Sequence, residues 1–137
     1  MIVLVINYQI VETMKKFTIL FWISTILIVL FEGVMPALFF NTEMAREGIR
    51  HLGYPVYFGT AVVVFKILGA LALIIPQVPH RLKEWAYAGF AYIFIFAAIS
   101  HAVVDGFAQA LFPLIALIVL AVSYYSYHKI GVGRQTI

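Results

Sequence analysis

Four apolar stretches dominate the chain, and each is long enough to cross a lipid bilayer. They cover residues 17–40, 57–75, 85–104 and 111–127, and a membrane-spanning helix needs roughly 17–25 residues. The chain is 64% hydrophobic and only 11% charged, whereas soluble domains average about 25% charged residues. Continuous apolar runs of this length satisfy their backbone hydrogen bonds in lipid as helices rather than as barrel strands. We therefore predict an integral membrane protein.

The connections between the four stretches are short. Residues 41–56 are polar, with a spacing that favours a short surface helix ending near Gly53, whereas residues 76–84 contain two prolines and form a turn. Residues 105–110 are shorter still. Because short connections place consecutive helices side by side in opposite directions, the predicted fold is all-α, a four-helix antiparallel transmembrane bundle.

The bundle is expected to comprise residues 17–127 as one domain. Residues 1–16 are expected to be a lead-in that need not belong to the fold. Either Met1 or Met14 suits a chain start, because two lysines follow Met14. Residues 128–137 are expected to form a cytoplasmic tail.

Lysines and arginines near the ends of the spans indicate the orientation in the membrane. Four spans place both termini and the middle loop on the same side, and cytoplasmic loops are rich in basic residues. We expect both termini to be cytoplasmic, in a bacterial inner (plasma) membrane. The basic residues on that side are Lys15, Lys16, Arg81, Lys83, Lys129 and Arg134, against Arg46 and Arg50 on the other.

Composition also excludes several classes of chemistry. The sequence contains no cysteine, which excludes disulfides, thiolate catalysis and cysteine-ligated metal or iron–sulfur sites. The net charge of +3 is small, and the basic residues form no patch that would bind nucleic acid. The lipid bilayer is the expected partner, and an oligomer is compatible with the sequence.

Four ionisable residues interrupt the apolar stretches or end them: Glu32, Lys66, His101 and Asp105. Charges at such depth are rare and usually mark a functional site or a buried pair. With a rise of 1.5 Å per residue, Glu32 lies about 12 Å and Lys66 about 13 Å from the outer ends of their spans. We predict an ion pair between them, which either faces a ligand or a proton path, or simply clamps two helices together.

Pro36 adds a backbone feature beside Glu32. Proline has no N–H group, so the carbonyl of the residue four positions earlier loses its helical partner. That carbonyl belongs to Glu32. We therefore predict a kink in the first helix next to its buried acid.

His101 and Asp105 are four residues apart, which places them on one helix face, with Ser100 adjacent. An aspartate can orient a histidine, so one interpretation is a proton acceptor above an outward-facing pocket. The other is a helix end closed by His101, with Asp105 and Gly106 in the turn.

A metal site formed by Glu32, His101 and Asp105 is disfavoured, because a lysine at the same depth would repel the cation. We therefore predict no metal site. The remaining histidines, His51, His80 and His128, are expected to be ordinary surface residues.

Several segments resemble the DoxX-like family of small four-helix membrane proteins. The matching segments are residues 66–73, Pro76, residues 83–90 and residues 98–101, and the resemblance extends over about residues 17–127. It implies a four-helix integral membrane protein. Some wider relatives are subunits of membrane redox systems, including thiosulfate–quinone oxidoreduction, and others accompany oxidative-stress enzymes.

Only part of this family chemistry is transferable. The thiol chemistry of some relatives does not carry over, because this chain has no cysteine. The resemblance implies a site at the matching polar positions, although Glu84 is expected to cap the third helix instead. Those positions are Glu32, Lys66, Glu84, Ser100 and His101.

Three functions follow as hypotheses. The first is an accessory subunit that binds a quinone-like or other lipophilic molecule for a redox partner protein. The second is a small membrane enzyme, such as an isomerase, with Glu32 and His101 as catalytic candidates. The third is a structural membrane protein without a ligand. The predicted ligand-binding residues are Glu32, Lys66, Ser100, His101 and Asp105.

Overall fold

The computed structural model describes residues 1–135, with side chains described up to residue 131. The side chain of Arg134 and residues 136–137 of the expected tail therefore lie outside the described part. In chain order the elements are α1 (Ile2–Ile28), a π-helical segment (Val29–Val34), α2 (Met35–Phe39), α3 (Glu43–His51), α4 (Val56–Ile74), α5 (His80–Val104) and α6 (Phe107–Gln135).

Four helical stretches are long and apolar enough to cross a membrane. They are Ile2–Phe39, Val56–Ile74, His80–Val104 and Phe107–Gly131. The all-α class and the four spans are confirmed. Most large apolar side chains are exposed on the outside of the helices, which suits a protein whose surrounding solvent is lipid.

The helices extend beyond the apolar stretches that predicted them. α1 begins at Ile2 rather than at residue 17, α5 at His80 rather than at residue 85, and α6 continues past residue 127. Hydropathy marks the part of a helix that lies in lipid, whereas the helix itself continues into the interface. The side chains of residues 1–9 are all exposed, so the lead-in adds helix without adding core.

The helices pack in a closed ring. α6 lies between α1 and α5, and α4 packs against α5 and against the π-helical segment. Aromatic and aliphatic side chains fill the space between them. The buried core comprises Ile28, Ala70, Leu73, Tyr87, Phe90, Phe94 and Leu120.

Three hydroxyl groups cross this core. Ser123 Oγ lies 2.7 Å from Thr25 Oγ1 and 2.8 Å from the Tyr87 hydroxyl. Thr25 and Ser123 are completely buried. Because lipid supplies no competing hydrogen bonds, such contacts hold neighbouring helices together, here α1, α5 and α6.

Lys83 is a structural residue rather than a loop charge. Its side chain is buried, and its Nζ donates to the carbonyls of Ala72 at 2.9 Å, Leu73 at 3.1 Å and Ile75 at 2.8 Å. The ammonium group therefore satisfies carbonyls that the end of α4 leaves without a helical partner. The prediction that residues 76–84 form only a turn was wrong, because α5 already includes Lys83.

The surface helix expected between the first two spans is α3. Thr42 caps its first turn by accepting from the N–H of Ala45. At the other end, Gly53 has a φ of 83°, and the N–H groups of Gly53 and Tyr54 donate back to Arg50 and Ile49. This is a Schellman motif, in which glycine adopts the left-handed conformation at low energy.

Contacts at the two ends of the bundle show which segments lie next to each other there. Phe17 of α1 contacts Tyr125 near the end of α6, with ring centroids 5.8 Å apart. At the opposite end, Tyr54 shares a hydrogen bond with Ser100 of α5. The first contact places residue 17 beside the end of α6, and the second places the segment before α4 beside the end of α5.

Candidate ligand-binding site

The charged pair expected inside the bundle is present. Lys66 Nζ of α4 lies 2.6 Å from Glu32 Oε2 of the π-helical segment, and the two side chains are 20% and 15% exposed. Each charge at this depth is expensive alone, and pairing reduces that expense. Glu32 Oε2 nevertheless accepts no hydrogen bond of favourable geometry from the described residues, so the contact is mainly electrostatic.

The backbone next to Glu32 departs from a regular α-helix. Residues Val29–Val34 are π-helical, and the N–H of Met35 donates to the carbonyl of Leu30 five residues earlier. Pro36 follows directly and removes one α-helical hydrogen bond. The backbone beside Glu32 is therefore π-helical, a feature that recurs at functional sites, whereas the kink expected from Pro36 stays a prediction.

A close contact between helices sets the distance between the two charges. A Cβ atom added to Gly33 would lie 2.7 Å from Ala70 Cβ, which is too short for two side chains. Gly33 follows Glu32, and Ala70 lies one turn after Lys66. The missing side chain at Gly33 thus allows the π-helical segment and α4 to approach until the ion pair closes.

Glu32 also lines a cavity between the first span, α5 and α6. Its volume is about 200 Å³. Ile28 and Phe94 are buried and form its floor, whereas Phe31 and Phe112 are exposed at its rim. The full lining is Leu27, Ile28, Phe31, Glu32, Phe94, Phe112, Ile115, Ala116 and Val119.

His101 and Asp105 form a second cluster at the end of α5. His101 Nδ1 lies 2.6 Å from Asp105 Oδ2, and His51 Nε2 of α3 lies 2.5 Å from Asp105 Oδ1. The hydrogen bond from His51, and to a smaller extent the one from His101, holds the pKa of the Asp105 carboxyl below its ordinary value of 3.8. Gly106 follows with a φ of 93°, so this cluster also closes the end of the helix.

Ser100 has a separate partner. Its Oγ lies 2.7 Å from the hydroxyl of Tyr54, and the Tyr54 ring stacks on Phe58 at a centroid distance of 5.0 Å. Together with His51, this contact attaches the segment around α3 to the end of α5.

The predicted site residues therefore fall into two groups. Glu32 and Lys66 meet inside the bundle, while Ser100, His101 and Asp105 lie at the end of α5. Within residues 1–131, no hydrogen bond or ion pair joins the two groups, and the cavity beside Glu32 is lined by none of the second group. In the same part of the chain, no three histidine, aspartate or glutamate side chains are arranged to hold a metal ion.

The three histidines expected to be surface residues do lie at the surface, and each has a partner that the sequence did not predict. His51 contacts Asp105, His80 Nδ1 lies 3.0 Å from the Tyr127 hydroxyl, and His128 Nε2 lies 2.9 Å from Glu84 Oε1. One feature of the sequence could have predicted these partners. The histidines lie at the ends of helices, and the ends of neighbouring helices meet at the same membrane surface.

Glu84 does not cap the third span. α5 begins after Pro79, so Glu84 lies in its second turn, where it accepts from the Tyr124 hydroxyl at 3.1 Å and from His128. The capping prediction was wrong because α5 begins earlier than hydropathy indicates. Glu84 instead connects α5 to α6.

Fold and site together define a small integral membrane protein with four spanning helices and a charged pair beside a lipid-facing cavity. The sequence model of the DoxX-like family matches residues 21–123. The chain therefore belongs to the DoxX-like family, as its motifs indicated. No curated protein and no solved structure shows significant similarity to it.

Proposed function

We propose that this protein binds a lipophilic small molecule in the cavity beside Glu32 and serves as an accessory subunit of a membrane redox system. The observation that supports binding is a carboxylate in the wall of an otherwise apolar, lipid-facing cavity. Such a cavity suits a lipophile with a small polar head group and an apolar body. A quinone-like molecule in its reduced form has hydroxyl groups that can donate to the carboxylate. The redox partner is proposed from the roles of wider relatives of the family.

The same proposal includes the location. The proposed location is a bacterial inner membrane, and the distribution of lysines and arginines favours an orientation with both termini in the cytoplasm. The cavity then lies in the outer half of the bilayer, since Glu32 is nearer to the α2 end of its span than to the α1 start.

Isomerase-type catalysis receives less support. Proton transfer between two carbon atoms by Glu32 and His101 requires that both face one cavity. His101 instead pairs with Asp105 at the end of α5, and it is absent from the lining beside Glu32.

Mass spectrometry of small molecules that co-purify in mild detergent tests the proposal. The parent protein should carry a quinone or another lipophile, and the variant Glu32→Gln/Lys66→Met should lose it. The double change removes both charges together, so it leaves no unpaired charge in the bundle. If neither protein carries a specific lipophile after purification from the native membrane, the pair is a structural clamp and the proposal is wrong.

A further inference from the structure

We infer that the cavity selects a neutral lipophilic compound whose ring carries a hydroxyl group, with that hydroxyl donating to the Glu32 carboxylate. This inference rests on the proposed function and specifies the chemical class of its ligand. It follows from three properties of the cavity: its hydrogen-bonding character, its charge and its shape.

The first property is that the lining offers an acceptor and no side-chain donor. Glu32 is the one polar residue among those that line the cavity, and an ionised carboxylate only accepts hydrogen bonds. The other lining side chains are aliphatic or phenylalanine, and N–H groups inside a helix are ordinarily bonded to carbonyls of the same helix. A ligand hydroxyl can therefore be satisfied here, whereas a ligand carbonyl meets no donor.

One Glu32 oxygen, Oε2, is buried. Oε2 has no accessible surface and lies against Lys66, while the side chain as a whole retains 15% exposure. We infer that Oε1 is the oxygen presented to the cavity. A hydroxyl that donates to it would make a charge-assisted hydrogen bond, which is roughly twice as strong as a neutral one.

The second property is that the charge of Glu32 is already compensated. Lys66 Nζ at 2.6 Å supplies the positive partner. An ammonium-bearing ligand would bring a second cation next to Lys66, and an anionic ligand would face Glu32 directly. In lipid both arrangements are costly, so the favoured head group is neutral.

The third property is shape. Phe31, Phe94 and Phe112 contribute aromatic walls, and the cavity holds about 200 Å³. An apolar cavity of roughly 150 Å³ in another protein accommodates benzene, so a single substituted ring fits here. Since the rim residues Phe31 and Phe112 are exposed, an alkyl tail can leave the cavity into the bilayer. Within the proposed redox role, such a site favours the hydroxyl-bearing, reduced form of a ring.

A matched pair of probes tests the inference. 4-Dodecylphenol and its methyl ether share ring and tail, but only the phenol can donate a hydrogen bond. Binding of each to the parent protein in detergent, measured by isothermal titration calorimetry, should favour the phenol at least about tenfold, as expected for a hydrogen bond to a charged group. In Glu32→Gln/Lys66→Met the phenol should bind at least about tenfold more weakly than in the parent, and the preference for it should fall to about twofold or less, because the amide both donates and accepts.

The outcomes separate the inference from the proposed function. Equal binding of the two probes to the parent, or tighter binding of the ether, would overturn hydroxyl selection while leaving lipophile binding intact. Failure of both probes to bind the parent would contradict the inference and the proposed function together. A tenfold preference that persists in the double variant would also overturn the inference, because Glu32 would not be its source.

Discussion

At the scale of single residues, Glu32 and Lys66 explain how a chain this apolar tolerates two opposite charges in its interior. Their contact at 2.6 Å joins the first span to α4. In lipid the alternative for either charge is an unpaired state, which is far more expensive than in water. Each residue therefore stabilises the fold only through the other.

This mutual dependence predicts a strong non-additivity. Glu32→Gln and Lys66→Met should each lower the free energy of unfolding by about 3 kcal/mol, because each leaves one buried charge unpaired. The combined variant should lie within about 1 kcal/mol of the parent. Unfolding in mixed detergent micelles measures the free energy of unfolding of the parent, the two single variants and the combined variant. An additive loss in the combined variant would show that the two charges do not interact.

Asp105 predicts a pH dependence of stability. Its pKa is lowered in the folded protein by the hydrogen bonds of His51 and His101. A group with a depressed pKa stabilises the fold above its unfolded pKa, and this contribution disappears as the pH falls through the lower, folded value. Asp105→Asn should therefore melt below the parent at about pH 7, and the difference should diminish at an acidic pH below the ordinary pKa of 3.8.

Thermal unfolding in detergent at both pH values checks this prediction. Glu47→Gln is the control, because Glu47 lies on the exposed surface of α3, where its ion pair with Arg50 contributes little. If the melting temperatures of the Asp105→Asn variant and the parent differed equally at both pH values, the ionised Asp105 carboxylate would not be the source of the stabilisation.

Some of these residue pairs could be predicted from the sequence and others could not. Glu32 and Lys66 could be paired by counting the helical rise from their span ends, since two level charges in lipid have few alternatives. His101 and Asp105 could be paired by their helical spacing. His51 could not, because its contact with Asp105 depends on the path of residues 52–55 and on how α3 lies against α4.

At the scale of helices, the contact between Gly33 and Ala70 determines how closely the first span and α4 approach. Small residues elsewhere in the bundle differ in what they face. Gly69 does face the Phe90 ring, but a Cβ on Gly89 would meet nothing within 4 Å. The rotational setting of each helix decides which small residue faces a neighbour, and hydropathy is too uniform around these helices to show it.

Gly33→Ala tests the role of this contact. The added Cβ would lie 2.7 Å from Ala70 Cβ, so the helices must separate, with an expected loss of about 1–3 kcal/mol in the free energy of unfolding. Ala70→Gly in the same protein should restore part of that loss by removing the opposing atom. Gly89→Ala is the matched control and should be neutral or stabilising by up to about 1 kcal/mol.

Detergent unfolding of these variants gives the comparison. If Gly33→Ala were as stable as Gly89→Ala, the close approach would not be needed for folding.

At the scale of the whole molecule, a ring of four helices leaves most apolar surface facing outward and uses few interior polar contacts to fix the helix positions. Those contacts lie at three levels. Glu32 pairs with Lys66, Ser123 contacts Thr25 and Tyr87, and Lys83 caps α4. The number of spanning helices and the all-α class could be predicted from hydropathy, whereas these polar contacts depend on helix rotation and on the true helix ends.

The proposed orientation is testable because the natural chain has no cysteine. Met44→Cys in α3 and Gln77→Cys in the α4–α5 connection each introduce a single exposed thiol. In intact cells, a membrane-impermeant maleimide should label residue 44 and leave residue 77 unlabelled until the membrane is opened. Labelling of residue 77 alone would show that the orientation is opposite to the proposed one.

The most direct measurement of the central claim compares the lipophile bound to two leucine variants of α6. Ala116 lines the cavity beside Glu32, whereas Ala121 lines a separate groove between α5 and α6. Ala116→Leu should fill the cavity and remove the co-purifying lipophile seen in the parent by mass spectrometry, while Ala121→Leu should retain it. Retention of the lipophile in Ala116→Leu, or an equal loss in both variants, would contradict binding in this cavity.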